Sequence, residues 1–380
     1  MLAATRASRQ RRRPAPGPTL RDAGGAAGVC PMRAADRGPE RDAVLRDFLD
    51  KGAVRSGLLG EPYQQLWSDL AGALSGGKRF RPALLVGVYR AHGGTDEHLA
   101  ATVAAGVELL HTAFVIHDDV IDGDQTRRGL PNVSGAAAGR ARAAGVDEAH
   151  ANAYAQTAGI LAGDLALVGA VRTISQCGAE SATVSRVLDL VDQAVHASAA
   201  GELADVGLSV GIGSATIGEV LTMAELKTAV YSFVLPLQAG AVLAGSPEPV
   251  VDRLGDLGRL VGIAFQLQDD VLGVFGDEEQ TGKSCLTDLR EAKQTPLIAH
   301  ARTTRQWPLI APFHGNADLT QEQADRACAL LEECGSRQFI EDLAHSYLGA
   351  ALAIADEVGL PREFLGWVST LTTGLLRSAA

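Results

Sequence analysis

Residues 115–122 read Val-Ile-His-Asp-Asp-Val-Ile-Asp, and this stretch is the strongest indicator of the fold. Residues 266–272 read Gln-Leu-Gln-Asp-Asp-Val-Leu and echo it in the second half of the chain. In both places a pair of aspartates interrupts a segment that is otherwise apolar. No short repeat period connects the two, so they indicate a pair of similar helices rather than a solenoid. We predict that these helices face each other across a cavity that both line with carboxylates.

From about Asp42 onward the hydrophobic pattern is helical nearly throughout, with apolar residues at i, i+3 and i+4. Short breaks such as Gly76-Gly77 and Gly129-Leu130-Pro131 separate the helical segments. Only 4% of the residues are aromatic while 46% are hydrophobic, which favours closely packed helices over a β-sandwich. We predict an all-α fold, one catalytic domain over residues 39–380, and a surface loop over Gln306–Asp318.

The composition argues against several classes of protein. The net charge of −11 argues against nucleic acid as the main partner. Five cysteines without a CxxC pair indicate reduced thiols in a cytoplasmic protein rather than a disulfide framework. No apolar run approaches the ~18 residues needed to cross a bilayer, so we expect no integral membrane segment. Residues 1–38 are rich in Arg, Ala and Gly and predict a disordered tail, with a transit peptide or an early start codon as alternatives.

The first aspartate segment ends a predicted helix over residues 99–122. Glu108, His111, Asp118 and Asp122 are spaced by three or four residues, so they share one helical face. A lone pair of aspartates usually marks a solvated helix end, but two such pairs within apolar helices require a cation. Carboxylate oxygens suit Mg²⁺, which keeps several waters and takes phosphate oxygens as further ligands. The sequence therefore predicts a magnesium site.

The second aspartate segment repeats this pattern, with Asp269 and Asp270 followed by Asp277 at near-helical spacing. Lys283 and Lys293 come just past these carboxylates, where they could reach a diphosphate that is held by the metal. A charged surface loop is the alternative interpretation of this stretch.

Two further basic segments indicate anion binding. The segment Gly77-Lys78-Arg79-Phe80-Arg81-Pro82 predicts a helix that begins at Pro82, and a helix N-terminus with Lys and Arg beside glycines binds anions. Arg127 and Arg128 follow the first aspartate segment after a short loop and can make charge-assisted contacts with phosphate, although a surface patch is the alternative. Carboxylates and cations together predict two anionic substrates, one bridged by metal and the other held by basic residues alone.

These residues, and their order along the chain, resemble the trans-isoprenyl diphosphate synthases (polyprenyl synthetases) over roughly residues 42–375. The motifs that carry the resemblance are Gly77-Lys78-x-x-Arg81-Pro82, His111, the DDxxD of Asp118–Asp122, Arg127-Arg128, Lys227-Thr228, Phe265-Gln266-x-x-Asp269-Asp270 and Gly282-Lys283. The resemblance implies a bundle of about ten core helices around a central active-site cavity, the type I isoprenoid synthase fold, usually as a homodimer. It also implies an enzyme that condenses isopentenyl diphosphate head-to-tail with an allylic diphosphate (dimethylallyl, geranyl or farnesyl) and releases diphosphate.

By the same resemblance each predicted residue takes a role. Three Mg²⁺ ions, bound with the allylic diphosphate, would be held by Asp118, Asp119, Asp122, Asp269 and Asp270. The allylic diphosphate itself would be held by Arg127, Lys227, Thr228, Gln266 and Lys283. Isopentenyl diphosphate would be held by Lys78, Arg81, His111 and Arg128. Lys293 would assist one of the two diphosphates. The catalytic set would comprise the five aspartates with Arg127 and Lys227.

Two features distinguish this chain within the family: its second aspartate motif and the residues that precede the first. Gly273 replaces the third aspartate that many relatives carry in the second motif, and Asp277, one turn further on, is expected to substitute for its charge. Ala113 and Phe114 lie one turn before Asp118, where bulky residues limit product length in the family. Ala113 leaves room and Phe114 takes some away, so geranylgeranyl diphosphate is the expected product and farnesyl diphosphate the alternative. Phe114 as an ordinary core residue is the other interpretation.

Two rival functions share this fold. A class I terpene cyclase needs no site for isopentenyl diphosphate, so the presence of Lys78, Arg81, His111 and Arg128 argues against it. A regulatory subunit of another synthase would be expected to lose metal ligands, whereas this chain keeps both aspartate pairs. A synthase is therefore the expected function.

Overall fold

The structure of the chain, a computed structural model, describes residues 38–213, 215–276 and 286–372. The predicted tail over residues 1–38, apart from its last residue, and the predicted ligand Lys283 lie outside the described residues. One catalytic domain over residues 39–380 remains a prediction.

The described part of the chain is almost entirely helical, which confirms the predicted all-α fold. Two short strands, β1 (Thr126–Arg127) and β2 (Leu130–Pro131), pair antiparallel as a hairpin. The α-helices are, in chain order, α1 (Pro39–Ser56), α2 (Glu61–Ala73), α3 (Phe80–Ala91), α4 (Glu97–Asp122), α5 (Val133–Ala143), α6 (Glu148–Ser175), α7 (Ser181–Ser209), α8 (Ile217–Ala224), α9 (Leu235–Leu243), α10 (Glu248–Phe275), α11 (Leu286–Arg290), α12 (Pro296–Arg302), α13 (Trp307–Ile310), α14 (Gln321–Glu333), α15 (Ser336–Glu357) and α16 (Arg362–Thr372). A π-helical segment, Glu225–Val234, joins α8 to α9, and a 3₁₀ turn, Ala311–Phe313, follows α13.

Helix α4 runs through the centre of the core. Its first turn is capped by Asp96, whose side chain accepts a hydrogen bond from the backbone of Leu99, and it ends at Gly123 in the left-handed conformation. Every residue over 100–110 is buried, as expected of a helix that is apolar on all sides. Helix α6 packs closely against α4, and a Cβ atom on Gly163 of α6 would lie 2.1 Å from the ring of His117. The buried part of α4 thus fixes the direction of its last turn, which carries the first aspartate segment.

The π-helical segment lies between α7 and α10 and is held by close backbone contacts. A Cβ atom on Gly201 of α7 would lie 2.2 Å from the backbone nitrogen of Lys227, and one on Gly262 of α10 would lie 2.3 Å from the Cβ atom of Ala229. Only glycine permits these approaches. Pro236 follows directly, and since proline cannot donate the helical hydrogen bond, it favours a change of hydrogen-bond pattern here.

The sequence-based expectations for two segments were wrong. Residues 306–318 include α13 and the 3₁₀ turn rather than a plain surface loop, and Ile310 is fully buried in a second apolar cluster beside α10. Helix α3 begins at Phe80, so Pro82 is its third residue and not its first. The N-cap position is Arg79, in the left-handed conformation with φ 47°.

The prediction about apolar runs was also wrong. Three helical runs, Glu97–Asp122, Glu148–Ser175 and Ile217–Leu243, are long and apolar enough by length and composition to cross a membrane. In the fold, 78% of the most apolar 18-residue stretch of the first run is buried. For the third run the buried share of the corresponding stretch is 61%. Core packing accounts for their apolar character, whereas the second run keeps an exposed apolar side.

Candidate active site

The two aspartate segments lie at the C-terminal ends of α4 and α10 and border the same space. The charge of Asp205, on α7, acts both on Asp122 of the first segment and on Lys293 beside the second. Helix α7 and the π-helical segment lie between the two aspartate helices. The structure therefore brings the two aspartate segments, here called the first and second walls, to one region of the fold, and the cavity between them stays a prediction.

On the first wall, Asp119 is buried whereas the side chain of Asp118 is 29% exposed. Asp119 is 3% exposed and accepts hydrogen bonds from Nε and Nη2 of Arg127, at 2.8 and 2.5 Å. The β1–β2 hairpin positions Arg127, whose Nη2 also lies 3.4 Å from Asp118 Oδ2. Burial and the neighbouring Asp118 raise the pKa of Asp122. The wall thus holds more negative charge than its fixed cations neutralise.

Lys227 is the cation at the centre of the site, and two of its partners were missed by sequence analysis. Its Nζ lies 2.6 Å from Asp205 Oδ2, 3.1 Å from Glu202 and 3.4 Å from Asp118 Oδ1. Burial disfavours its charge, but the carboxylates outweigh burial and raise the pKa of Lys227. Glu202 and Asp205 are three residues apart on α7, but Asp189 and Asp192 have the same spacing on the same helix, so the sequence alone does not single out the first pair.

On the second wall, Asp270 is the buried carboxylate. It is 2% exposed, accepts a hydrogen bond from Gln266 Nε2 at 2.9 Å, and lies 3.7 Å from Lys293 Nζ. Burial is the main cause that raises the pKa of Asp270 to about 7. Asp269 is half-buried at the cavity side of the same turn. Lys283 and the expected substitute Asp277 lie outside the described residues.

A separate cluster of basic and aromatic groups surrounds Arg81. Its guanidinium donates to Ser232 Oγ at 2.9 and 3.1 Å and to the Tyr231 hydroxyl at 3.2 Å, and it lies over the rings of Phe80 and Tyr231. Tyr231 also stacks on His111 with ring centroids 6.0 Å apart. Burial and the surrounding arginines lower the pKa of His111 well below its usual value, so the ring is a neutral hydrogen-bonding group and not a cation.

Arg128 belongs to the same side of the site as Lys78. A Cβ atom on Gly77 would lie 3.4 Å from Nη2 of Arg128, so this guanidinium covers the glycine turn that precedes α3. Lys78 follows that turn and is exposed. The structure thus brings the four residues predicted for isopentenyl diphosphate to one region, on whose border Arg127 contacts the first wall.

Backbone strain is concentrated in these segments. Within the described ranges the non-glycine residues with positive φ are Arg79, Arg128 and Ala292, with φ of 47°, 54° and 56°. Each is adjacent to, or is itself, a predicted diphosphate ligand. Residues with side chains adopt this conformation at a cost of about 1–2 kcal/mol, and such strain commonly accumulates at functional sites.

The two residues predicted to set product length have different environments. Phe114 is half-buried, and its ring packs edge-on against Tyr231 with centroids 5.1 Å apart. Ala113 is fully buried in the main core, so it has no surface open to the cavity. This corrects the expectation that Ala113 provides room for the product.

The donor set fits magnesium. Among the residues that the structure describes, no three Asp, Glu, His or Cys side chains converge closely enough to hold a metal ion by themselves. Mg²⁺ commonly takes one or two carboxylates and completes its octahedron with water and substrate phosphate oxygens. The raised pKa values of Asp122, Glu202 and Asp270 mark carboxylates whose charge is incompletely balanced. Oxygen ligands on two opposed walls therefore suit an ion that is shared with a diphosphate.

Comparison with known proteins agrees with this geometry. Residues 64–331 match the family model of polyprenyl synthetase. The chain is 32% identical over 274 residues to a geranylgeranyl diphosphate synthase of Methanosarcina mazei, an alignment that covers 72% of this chain and 78% of that one. It is 32% identical over 310 residues to a (2E,6E)-farnesyl diphosphate synthase of Mycobacterium tuberculosis, covering 79% and 80%.

The fold has solved relatives as well. A geranylgeranyl pyrophosphate synthase from Corynebacterium glutamicum, crystallised with isoprenyl diphosphate and magnesium, superposes with a TM-score of 0.80. The sequence identity is 29%, and the match covers 89% of this chain and 97% of that one. The predicted resemblance is thereby confirmed. The chain belongs to the polyprenyl synthetase family, whose members are prenyl diphosphate synthases.

Proposed function

We propose that the protein condenses isopentenyl diphosphate head-to-tail with an allylic diphosphate, and that geranylgeranyl diphosphate is its product. The observation that carries the reaction type is the environment of Arg81. Within the described residues its contacts are hydroxyls and aromatic rings, so its charge is not neutralised by a neighbouring carboxylate. Lys227, by contrast, is surrounded by carboxylates. The region around Arg81 thus suits a diphosphate alone, whereas the region around Lys227 suits a diphosphate that is bound with metal.

The residues around the aspartate walls would hold the allylic substrate and its leaving group. Magnesium, as three ions shared by both walls, would supply the positive charge that stabilises the departing diphosphate. Arg127 and Lys227 already lie against Asp118 and would contact the same phosphates. Lys293 and Lys283 would add cations from the second wall. Holding all of these groups in place before the substrate arrives lowers the cost of separating charge.

The remaining residues would bind isopentenyl diphosphate and stabilise the allylic carbocation that it attacks. Lys78, Arg81, His111 and Arg128 would hold isopentenyl diphosphate, with neutral His111 donating a hydrogen bond rather than a charge. Thr228 and Gln266 would stabilise the allylic carbocation through their dipoles. The double bond of isopentenyl diphosphate attacks this carbocation, and the proton then lost passes to the released diphosphate. Closure of the cavity against water prevents the carbocation from being quenched.

Product length would be limited by Phe114, which supports the twenty-carbon product with the fifteen-carbon product as the alternative. Both lengths occur among the similar proteins. The decisive experiment incubates the purified protein with Mg²⁺, isopentenyl diphosphate and, in separate reactions, dimethylallyl, geranyl or farnesyl diphosphate. Chromatography of the products is expected to show elongation to geranylgeranyl diphosphate. Elongation from none of the three primers would reject the synthase.

Replacing Arg81 tests the division into two sites. We expect Arg81→Ala to raise KM for isopentenyl diphosphate on the order of 10- to 100-fold, because charge-assisted hydrogen bonds are lost, with KM for the allylic substrate little changed. Arg172→Ala, an exposed arginine of α6, is the matched control. Equal effects of Arg81→Ala on both KM values would contradict the assignment.

A homodimer is supported by the exposed apolar stripe of α6. Tyr154, Leu161 and Val168 recur every seven residues and are 42%, 48% and 66% exposed. A contiguous apolar patch of this kind is typical of an interface between subunits. Light scattering coupled to size-exclusion chromatography should give a molar mass twice that of one chain. Leu161→Glu should reduce this mass to that of a single chain. We further propose a cytoplasmic location, which the pattern of cysteines supports.

A further inference from the structure

Position 273 of α10 corresponds to the last aspartate of the first wall. Asp118 and Asp122 are four residues apart on one helical face, and Asp269 and Gly273 repeat that spacing. A side chain at position 273 would therefore face the same cavity as Asp269. Glycine within a helix costs about 1 kcal/mol relative to alanine, so its presence in the last turns of α10 needs a reason in the packing.

The reason is that another carboxylate occupies this volume. A Cβ atom on Gly273 would lie 2.3 Å from Oδ2 of Asp288 and 3.2 Å from its Cγ. Contacts below about 3 Å do not occur between such atoms, so a side chain at position 273 would require the Asp288 carboxylate to turn away from its present position. The Asp288 carboxylate thus lies where the Cβ atom of a side chain at position 273 would be.

The segment that carries Asp288 is fixed in this position. Leu289 is 1% exposed, and its carbonyl accepts a hydrogen bond of 2.7 Å from the backbone of Gly315. Arg290 donates to the carbonyl of Leu319 at 2.5 and 3.2 Å. The Asp288 side chain is itself only 17% exposed. Its approach to Gly273 is therefore part of the packed structure and not a chance position of a surface side chain.

The charges around Asp288 show that pairing with a lysine does not account for it fully. Lys293 Nζ lies 3.8 Å from Asp288 Oδ2 and 3.7 Å from Asp270 Oδ1, so one cation serves two carboxylates at the limit of an ion pair. The charge of Asp269 acts on the same lysine. Three carboxylates thus surround Lys293, and carboxylate oxygens are the ligands that suit Mg²⁺.

We infer that Asp288 supplies the third carboxylate of the second wall, from outside helix α10 and in place of a side chain at position 273. It acts as a positioning residue for the divalent cation on that wall. The inference rests on the proposed function of the same site. It replaces the expectation that Asp277 has this role.

Moving the carboxylate tests the inference without relying on turnover. The full-length protein is titrated with Mn²⁺, as a paramagnetic substitute for Mg²⁺, in the presence of inorganic diphosphate, and bound Mn²⁺ is followed by electron paramagnetic resonance. We expect Asp288→Ala to weaken Mn²⁺ binding on the order of 10- to 100-fold, the usual effect of losing a residue that supports a metal site. Gly273→Asp/Asp288→Ala returns a carboxylate to the vacated volume and should regain most of the affinity.

Two controls separate charge from packing. Gly273→Ala/Asp288→Ala fills the same space without a carboxylate and should bind Mn²⁺ as weakly as Asp288→Ala. Asp318→Ala removes an exposed carboxylate of the same region and should bind like the unaltered protein. Thermal unfolding of each variant shows whether it is folded, and only folded variants are compared.

The outcomes distinguish this inference from the proposed function. Unaltered Mn²⁺ affinity in folded Asp288→Ala would overturn the role of Asp288, even if the protein elongates allylic diphosphates normally. Equal affinity of the two double variants would also overturn it, since a carboxylate returned to this volume would then contribute nothing to Mn²⁺ binding. Failure of the unaltered protein to elongate any primer, with Mn²⁺ and diphosphate still bound through Asp288, would reject the synthase and leave the inference standing.

Discussion

Phe114→Ala should lengthen the product by about one isoprene unit. The ring of Phe114 meets Tyr231 edge-on, with centroids 5.1 Å apart, one turn of α4 before Asp118. Its removal frees roughly the volume of one five-carbon unit, since the carbon atoms deleted are about as many as an isoprene unit contains. In the proposed function the growing chain would start at the aspartate wall and extend past this position, so the freed volume would admit one further condensation.

The same change should cost little stability. Replacing a completely buried phenylalanine by alanine lowers the free energy of unfolding by about 3–5 kcal/mol. Phe114 is only half-buried, and its pair with Tyr231 adds about 0.5–1.5 kcal/mol at most. We therefore expect a loss of about 2 kcal/mol in the free energy of unfolding, which leaves the protein folded at 25 °C.

The assay supplies farnesyl diphosphate, labelled isopentenyl diphosphate and Mg²⁺, and separates the dephosphorylated products by chain length. Phe339→Ala is the matched control, because Phe339 stacks on His300 in another part of the fold and is 39% exposed. Its product distribution should equal that of the unaltered protein. An unchanged distribution in Phe114→Ala would refute the assignment of Phe114 as the residue that limits product length.

Three further outcomes are expected. Asp118→Asn should lower kcat at least on the order of 1000-fold with the circular dichroism spectrum unchanged, because one carboxylate that contacts two active-site cations loses its charge; retained turnover would contradict this role. The pKa of His111 is lower in the folded protein than in the unfolded chain, so the unfolded chain takes up a proton at a higher pH. The free energy of unfolding should therefore fall as the pH drops below about 6.5. Urea unfolding at pH 7.5 and 5.5 should show a smaller loss for His111→Gln than for the unaltered protein, and equal losses would be inconsistent with a neutral His111. Ala292→Gly should stabilise the protein by about 0.5–1 kcal/mol by relieving a φ of 56°, as urea unfolding would show, and destabilisation would contradict the strain.

Local pattern was sufficient to predict the helices that carry the aspartates. Helix α4 was predicted to within two residues because its apolar periodicity, its capping residue and Gly123 all agree. The sharing of one face by Asp118 and Asp122 followed from spacing alone. Spacing could not show that Asp119 is directed to Arg127, since that depends on a hairpin formed eight residues later.

Contacts between distant segments account for what the sequence did not reveal. The π-helical segment is stabilised by glycines from α7 and α10, and its own residues carry an ordinary helical pattern. The partners of Lys227 on α7 are likewise remote in sequence. The apolar length of α4 is not evident as an unbroken run because Glu108 interrupts it, and that glutamate is itself buried in the fold.

The π-helical segment also has a consequence for how such a protein can diverge. It carries Lys227 at one end and Tyr231 and Ser232, the partners of Arg81, at the other. The separation between the two diphosphate regions is thus set by a few residues of one rigid backbone. Phe114, on helix α4, contacts this segment through the ring of Tyr231. A substitution of Phe114 that alters the size of the product would therefore also act on Tyr231 and, through it, on Arg81.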